Sequence, residues 1–314
     1  MATPLPFFLA NAFATTPHGG NQAAVVLFPA NDPRSNDVAY FEALARDFNL
    51  PMTAIVVASA TQKDADVPKY GLRFFGASGF ESKLCGHATL ATSQVLFNHI
   101  HPTATSLSFI NPHSGTFKAT RVSSGQGGEV GIALPPGGTF IPATPAVASD
   151  LGASVLAAAG LSDSDVVAFG TFDKGDQESV LLEISPDVDL KNLKVDTKAL
   201  TRPTFKTIIT QVIGKGDAGG VRVHSRVFIP NKGIDEDPVT GTAHTVLAGY
   251  FLTGAGSARL APHLTAGADT AAATLDAYQV SERMGAMKVS FGADGRPVVV
   301  GRSWVTGSGM LEVL

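Results

Sequence analysis

The hydrophobic and polar positions of this chain fall into two patterns that predict different elements. Runs rich in β-branched and aromatic residues, "TAIVVAS" (53–59), "YGLRFF" (70–75), "FKTIITQVI" (205–213) and "VRVHSRVFI" (221–229), have the length and composition of strands. The opening "PLPFFLANAFA" (4–14) reads the same way, as a first strand. "SNDVAYFEALARDFN" (35–49) instead carries apolar residues at helical spacing behind Ser35, a residue type that caps helices, which predicts a helix lying on a surface. "GHATLATSQVLF" (86–97) and "GTAHTVLAGYF" (241–251) contain no charged residue at all. A helix without a charged face is usually buried, so each is expected at the centre of strands that wrap it.

The two uncharged segments also match in position. "GHAT" begins at Gly86 and "GTAH" at Gly241, and "GNQAAVVL" begins at Gly20 and "GDQESVLL" at Gly175; both separations are 155 residues. "RFF" at Arg73 and "RVF" at Arg226 fall at nearly the same offset. Matches at one offset near half the chain length predict an internal duplication. "SSGQGGE" (123–129) is polar, Gly-rich and aperiodic, and reads as the connector between halves. The expected fold is α+β: two pseudo-symmetric domains, each a barrel-like mixed β-sheet around a central buried helix. The first half covers residues 1–122, completed by a C-terminal strand at 303–314, and the second covers 130–302.

Composition narrows the function classes. A chain of 314 residues with 44% hydrophobic content can bury two cores. Its net charge of −4 and lack of any Lys/Arg run give no reason to expect nucleic acid. A single cysteine, Cys85, rules out an intrachain disulfide and suits a reducing compartment. The first 33 residues hold no Lys or Arg, so they lack the basic start of a signal peptide. The uncharged run 238–258 has the length of a membrane span, but it contains His244 and four glycines and has no basic flank. The expectation is a cytoplasmic protein with no membrane contact. "GASG" and "GTGAGS" lack the strand–GxGxxG–helix setting of a dinucleotide site, and no spacing of His, Cys and acids makes a metal site, so no cofactor is expected.

The chemistry concentrates ahead of the two uncharged helices. Glu81 precedes the first, and Asp235, Glu236 and Asp237 precede the second. Helix N-termini carry unpaired N–H groups and partial positive charge, so two of them aimed at one cleft between the halves would suit a small carboxylate. Asp235 and Glu236 read equally well as plain helix caps or as groups with a part in that cleft. Asp237 stands before Pro238, which restricts it to extended backbone and fixes its direction. His87, one residue into its helix, is expected to stay neutral in the dipole and to exchange hydrogen bonds with a substrate. His244 reads as core, and His99 and His101 as a solvated pair at a strand end. A two-thiol racemase would need a partner for Cys85 155 residues on, and that position is Thr240. Cys85 is therefore read as a packing residue.

The segments "NAFATTPHGGNQAAVVLF", "LRFFGASGFESKLCGHATLA", "SRVFIPNKGIDEDPVTGTAH" and "GRPVVVGRSWVTGSGMLEV" together resemble the phenazine-biosynthesis PhzF family, within the fold group of diaminopimelate epimerase and proline racemase. The resemblance runs in family order over almost the whole chain. It implies two similar domains, an interdomain site, no cofactor, and a homodimer. It also implies a substrate pocket using Asn21 of the "GN" motif, His87 of "CGHAT", Asp237 of "EDPVTG", and Thr242, with Gly86 and Gly241 at the helix starts and Ser78 as a further candidate. Where the family carries Glu in a segment like "NLSETAF", this chain has "NLPMTAIV", which puts Met52 in place of a carboxylate. A thioether cannot exchange protons. Three readings follow: a cofactor-independent isomerase or cyclase in which Asp237 or His87 moves the proton, a pocket that steers cyclisation by orientation with Met52 packed on the substrate, or a catalytically inactive small-molecule binder.

Overall fold

The computed structural model describes residues 3–60, 67–125, 127–143, 150–172, 179–201 and 204–312. The chain divides into two compact units, Met1–Leu134 with Val300–Leu314, and Pro135–Val299. Among the described residues no helix is long and apolar enough to cross a membrane.

The first unit contains β1 (Leu5–Ala12), β2 (Asn21–Phe28), β3 (Met52–Ala58), β4 (Lys69–Phe75), β5 (Glu81–Ser82), β6 (Ser106–Asn111), β7 (Gly115–Arg121) and β8 (Glu129–Ala133). β1 is antiparallel to β2, β2 parallel to β3, β3 antiparallel to β4, and β4 parallel to β6. β6, β7 and β8 follow as antiparallel neighbours; of the Gly-rich stretch expected to link the halves, the described residues 123–125, 127 and 128 lie between β7 and β8 inside the first unit, whose boundary with the second falls at Leu134 and Pro135. The chain's last strand, Pro297–Leu311, then pairs with both β8 and β1, so eight strands close into a barrel with no open edge.

Two helices occupy the two faces of that barrel. α1 (Val38–Phe48) buries Phe41, Leu44 and Ala45 against Leu5, Val26, Phe28, Ile55 and Phe75, which are alternate residues of their strands. Its N-cap is Asp37, whose carboxylate accepts the Tyr40 amide at 3.1 Å, and not Ser35 as the sequence suggests. Ser35 is used instead in a turn, donating its amide to Asp32. α2 (Gly86–Val95) packs against β1, β2, β3 and β8 with all ten residues buried. It continues as a wide π turn, Leu96–Ile100, that carries His99, with His101 closing it. These histidines therefore belong to a helix end, not a strand end. His101 bonds the Tyr70 hydroxyl at 2.7 Å, and burial lowers its pKa. Arg121 donates to the carbonyls of Phe97 and His101 at 2.9 and 3.0 Å, satisfying acceptors that a helix end leaves open.

The second unit repeats this connectivity. It contains β9 (Phe140–Pro142), α3 (Asp150–Ala159), β10 (Val166–Phe172), β11 (Ser179–Ile184), α4 (Thr197–Leu200), β12 (Lys206–Lys215) and β13 (Val221–Ile229). β14 (Ile234–Asp237), α5 (Gly241–Ala248), α6 (Ser257–Leu260), β15 (Leu275–Gln279) and β16 (Gly285–Phe291) follow. The pairings β10–β11 antiparallel, β11–β12 parallel, β12–β13 antiparallel, β13–β15 parallel and β15–β16 antiparallel match β1–β2, β2–β3, β3–β4, β4–β6 and β6–β7 in sense and order. β14 lies on β13 as β5 lies on β4. α5 holds the place of α2 and also runs into a π turn, Gly249–Thr253. α3 and α4 bury Val155, Leu156 and Leu200 against Phe169, Leu182, Ile209 and Phe228, as α1 does in the first unit. Of the repeat segment beginning at Gly175, residues 175–178 lie outside the described residues.

The second core contains a charged group. Glu183 of β11 is buried and accepts from the Arg259 guanidinium at 2.5–2.8 Å and from the Tyr250 hydroxyl at 2.6 Å. Burial, reinforced by the Glu183 carboxylate, pushes the Tyr250 hydroxyl pKa up, so it remains a donor. Arg259→Leu strands a buried carboxylate and is expected to cost about 3 kcal/mol by urea unfolding. Adding Glu183→Leu to that variant should recover part of the loss, because both ends of the pair are then apolar.

Candidate functional site

Each unit brings its sequence-predicted residues to the N-terminal end of its central helix. In the first unit Asn21 opens β2 and Met52 opens β3, with Met52 opposite Ala23 in the parallel register. His87, the second residue of α2, hydrogen-bonds the Gln22 main chain beside Asn21. Asn21, Met52, Gly86 and His87 are all buried. Burial lowers the His87 pKa to about 4, with the Gln22 main chain pulling weakly the other way. The imidazole is neutral at neutral pH as the sequence predicts, but desolvation is the main cause, not the helix dipole.

The N-cap of α2 is Cys85, extended and without a side-chain cap bond. Its sulfur lies 3.3 Å from His87 Nδ1, so a neutral imidazole gives it a hydrogen-bond partner and no cation. Ser78 is exposed in the tight turn 76–79, where Gly79 takes a φ of +89°.

In the second unit Asp237 ends β14 in register with Val227, in the extended geometry that the following Pro favours, and its side chain is buried. Thr240, the N-cap of α5, is extended and makes no side-chain bond to the helix amides. Its hydroxyl donates instead to Asp237 Oδ2 at 2.5 Å. Gln279 of β15, fully buried, accepts the Thr240 amide at 2.8 Å and donates to the Asp237 carbonyl. Gly241 is buried at the first position of α5, and Thr242 in the same turn is partly exposed. His244 is fully buried between Thr240 O at 2.9 Å and Ser225 Oγ at 3.2 Å, and burial lowers its pKa to about 4.

The remaining acids have structural partners. Glu81 takes a two-bond grip from Arg73, both at 2.7 Å, with His113 Nε2 at 3.2 Å. Glu236 takes the same grip from Arg226 at 2.8 and 2.7 Å, and Arg226 also donates to the Leu193 carbonyl at 2.6 Å. Neither acid caps its helix, because a strand-borne arginine at the repeated position holds it. Asp235 is exposed. The sequence missed Thr240 and Gln279 as site residues. Asp-Pro-Val-Thr ahead of a Gly-started helix does carry a signal for Thr240, a hydroxyl three residues after a carboxylate. Gln279 has no local signal, being brought from a distant strand. Among the described residues no group of three or more His, Cys, Asp and Glu could hold a metal ion.

A family model described as phenazine biosynthesis-like protein, PhzC-PhzF, matches residues 10–309. A mouse protein called phenazine biosynthesis-like domain-containing protein 1 is 32% identical, with 98% of this chain and 99% of the relative covered. A Pseudomonas aeruginosa protein called an uncharacterized isomerase is 32% identical over 82% of this chain and 85% of its own length. Among solved structures, a PhzF-family protein of Enterococcus faecalis is similar at a TM-score of 0.71 and 27% identity, covering 99% of this chain and 100% of that one.

Proposed function

This chain belongs to the phenazine biosynthesis-like family, and we propose that it is a cofactor-independent isomerase or cyclase acting on a small carboxylate or enolisable metabolite by proton transfer. Relatives named as isomerases support the broad class of activity. The observation that carries the finer reading is Asp237: a buried carboxylate fixed by a hydroxyl at 2.5 Å, next to a helix start whose N-cap side chain is turned away from the amides. Such a group has the direction and the reach that a general base or acid requires. His87, neutral and buried in the first unit, is the second proton-handling group of the proposal, and Thr242 supplies a hydroxyl at the α5 start. Asn21 and the Gly86 and Gly241 amides are assigned to substrate binding.

A second reading is favoured by one residue. Met52 is buried where the family resemblance places a glutamate, and an apolar thioether there suits a pocket that binds or moulds without a second proton carrier. The deciding experiment incubates purified protein with a panel of small carboxylates and enolisable acids in D₂O, followed by NMR. Deuterium entering a substrate C–H is the expected result. Saturable binding with no exchange and no new product for any panel member would replace the enzymatic reading with the binding one.

A further inference from the structure

We propose that Thr240 is a positioning residue for Asp237, held in place by Gln279 and His244; the catalytic half of this inference rests on the proton-transfer reading above. Thr240 is fastened at each of its polar groups. Its amide donates to Gln279 Oε1 at 2.8 Å, its hydroxyl donates to Asp237 Oδ2 at 2.5 Å, and its carbonyl lies 2.9 Å from His244 Nδ1. A carbonyl only accepts, so His244 must carry its proton on Nδ1. With the ring neutral, Nε2 is then an acceptor, and the Ser225 hydroxyl at 3.2 Å donates to it. The result is a directed chain from Ser225 on β13, through His244 on α5, to Thr240 and the Asp237 carboxylate. Gln279 spans its far side from β15, gripping the Thr240 amide and the Asp237 carbonyl together.

This arrangement gives His244 a task that its burial alone does not. A core histidine needs only satisfied nitrogens, but here the ring fixes the carbonyl of the residue that bonds the carboxylate. It also accounts for the missing cap on α5. A Thr at an N-cap normally bonds the N2 or N3 amide, and this one gives its hydroxyl to Asp237. Among the described residues of these elements, Glu236 on β14 pairs with Arg226 on β13, Asp276 on β15 pairs with Arg222 on β13, His244 bonds Ser225 and Thr240, and Asp235 on β14 is exposed. Gln279, the β15 residue that bonds Thr240 and Asp237, carries no charge itself.

The test compares Thr240→Val, Thr240→Ala and Thr240→Ser with the parent protein. The first readout needs no substrate: NMR titration of ¹³C-labelled aspartate carboxyls, with Asp237 assigned by its loss in Asp237→Asn. A hydrogen bond to the charged form favours that form, so the Asp237 midpoint should rise by about one pH unit or more in the Val and Ala variants and return in Ser. An unmoved midpoint in a folded Val or Ala variant overturns the proposal. The second readout is exchange kinetics on whichever panel compound the parent turns over. There kcat should fall about ten- to a hundred-fold, the range of one hydrogen bond to a charged group, with KM little changed and Ser restoring most of it. A loss that Ser fails to restore marks a merely structural role and overturns the positioning claim. A shifted midpoint in a protein with no exchange activity sinks the proposed reaction and leaves the clamp standing.

Discussion

Between pH 6.5 and about 4 the folded protein should lose roughly 6 kcal/mol of stability, through His87 and His244 together. In the unfolded chain both imidazoles take up protons as the pH falls through about 6.5. In the folded protein they resist to about 4, because each is fully desolvated in its own unit. Across that window the unfolded state binds more protons, so stability drops as pH drops, at about 1.4 kcal/mol per pH unit for each ring. The contribution is complete above 6.5 and no longer changes below about 4. Burial lowers the His101 and His224 pKa values as well, which adds to the same trend. Asp32 and Glu81, whose arginine partners hold their pKa values below the ordinary carboxylate range, add to the loss from the acid end of this window downwards. Urea unfolding at pH 7, 5.5 and 4.5 measures the slope. His244→Gln should flatten about half of it, and a slope unchanged in that variant would assign acid lability elsewhere.

The part of this architecture that was legible in the chain is what rests on composition over many residues. Two uncharged segments 155 residues apart point to buried helices, and the matched pairing order of the two units accords with the duplication they suggest. Asp237 and His87 draw attention in the chain because both stand at a punctuated place, before Pro238 and after Gly86, and both are buried in the fold. What composition could not show is which partner each acid finds. Glu81 and Glu236 looked like candidates for a helix start, and their fate was decided by Arg73 and Arg226, whose guanidinium groups reach them across antiparallel strand pairs. Gln279 was invisible for the same reason. Its role exists only because β15 runs parallel to β13 and brings an amide to Asp237 and Thr240. Ser35 shows the local limit: three cap-type residues, Ser35, Asn36 and Asp37, stand in a row, and the turn that consumes Ser35 leaves Asp37 to start the helix.

Asp237→Asn is expected to abolish turnover while substrate binding survives, with a loss of about 10²–10⁴-fold set by what one placed proton-transfer group contributes. The substitution keeps the shape of the side chain, and its amide oxygen can still accept the Thr240 hydroxyl, so the clamp around it persists. What disappears is the ability to take and return a proton. If Asp237 serves only to bind, the same variant changes affinity and leaves the exchange rate at saturation intact. Met52→Glu sharpens the distinction from the other unit. It places a carboxyl at the buried start of β3, beside β2 where Asn21 and Gln22 lie, and it carries a folding cost because a carboxyl enters an apolar position. Exchange that appears only in Met52→Glu would mean that the parent retains a binding pocket and lacks the second proton carrier. Exchange in the parent that Met52→Glu leaves unchanged, and Asp237→Asn removes, would mean that one carboxylate suffices. The substrate must then carry an already acidic C–H or a reactive enol, because a single group within 10²–10⁴-fold of assistance cannot deprotonate an unactivated carbon.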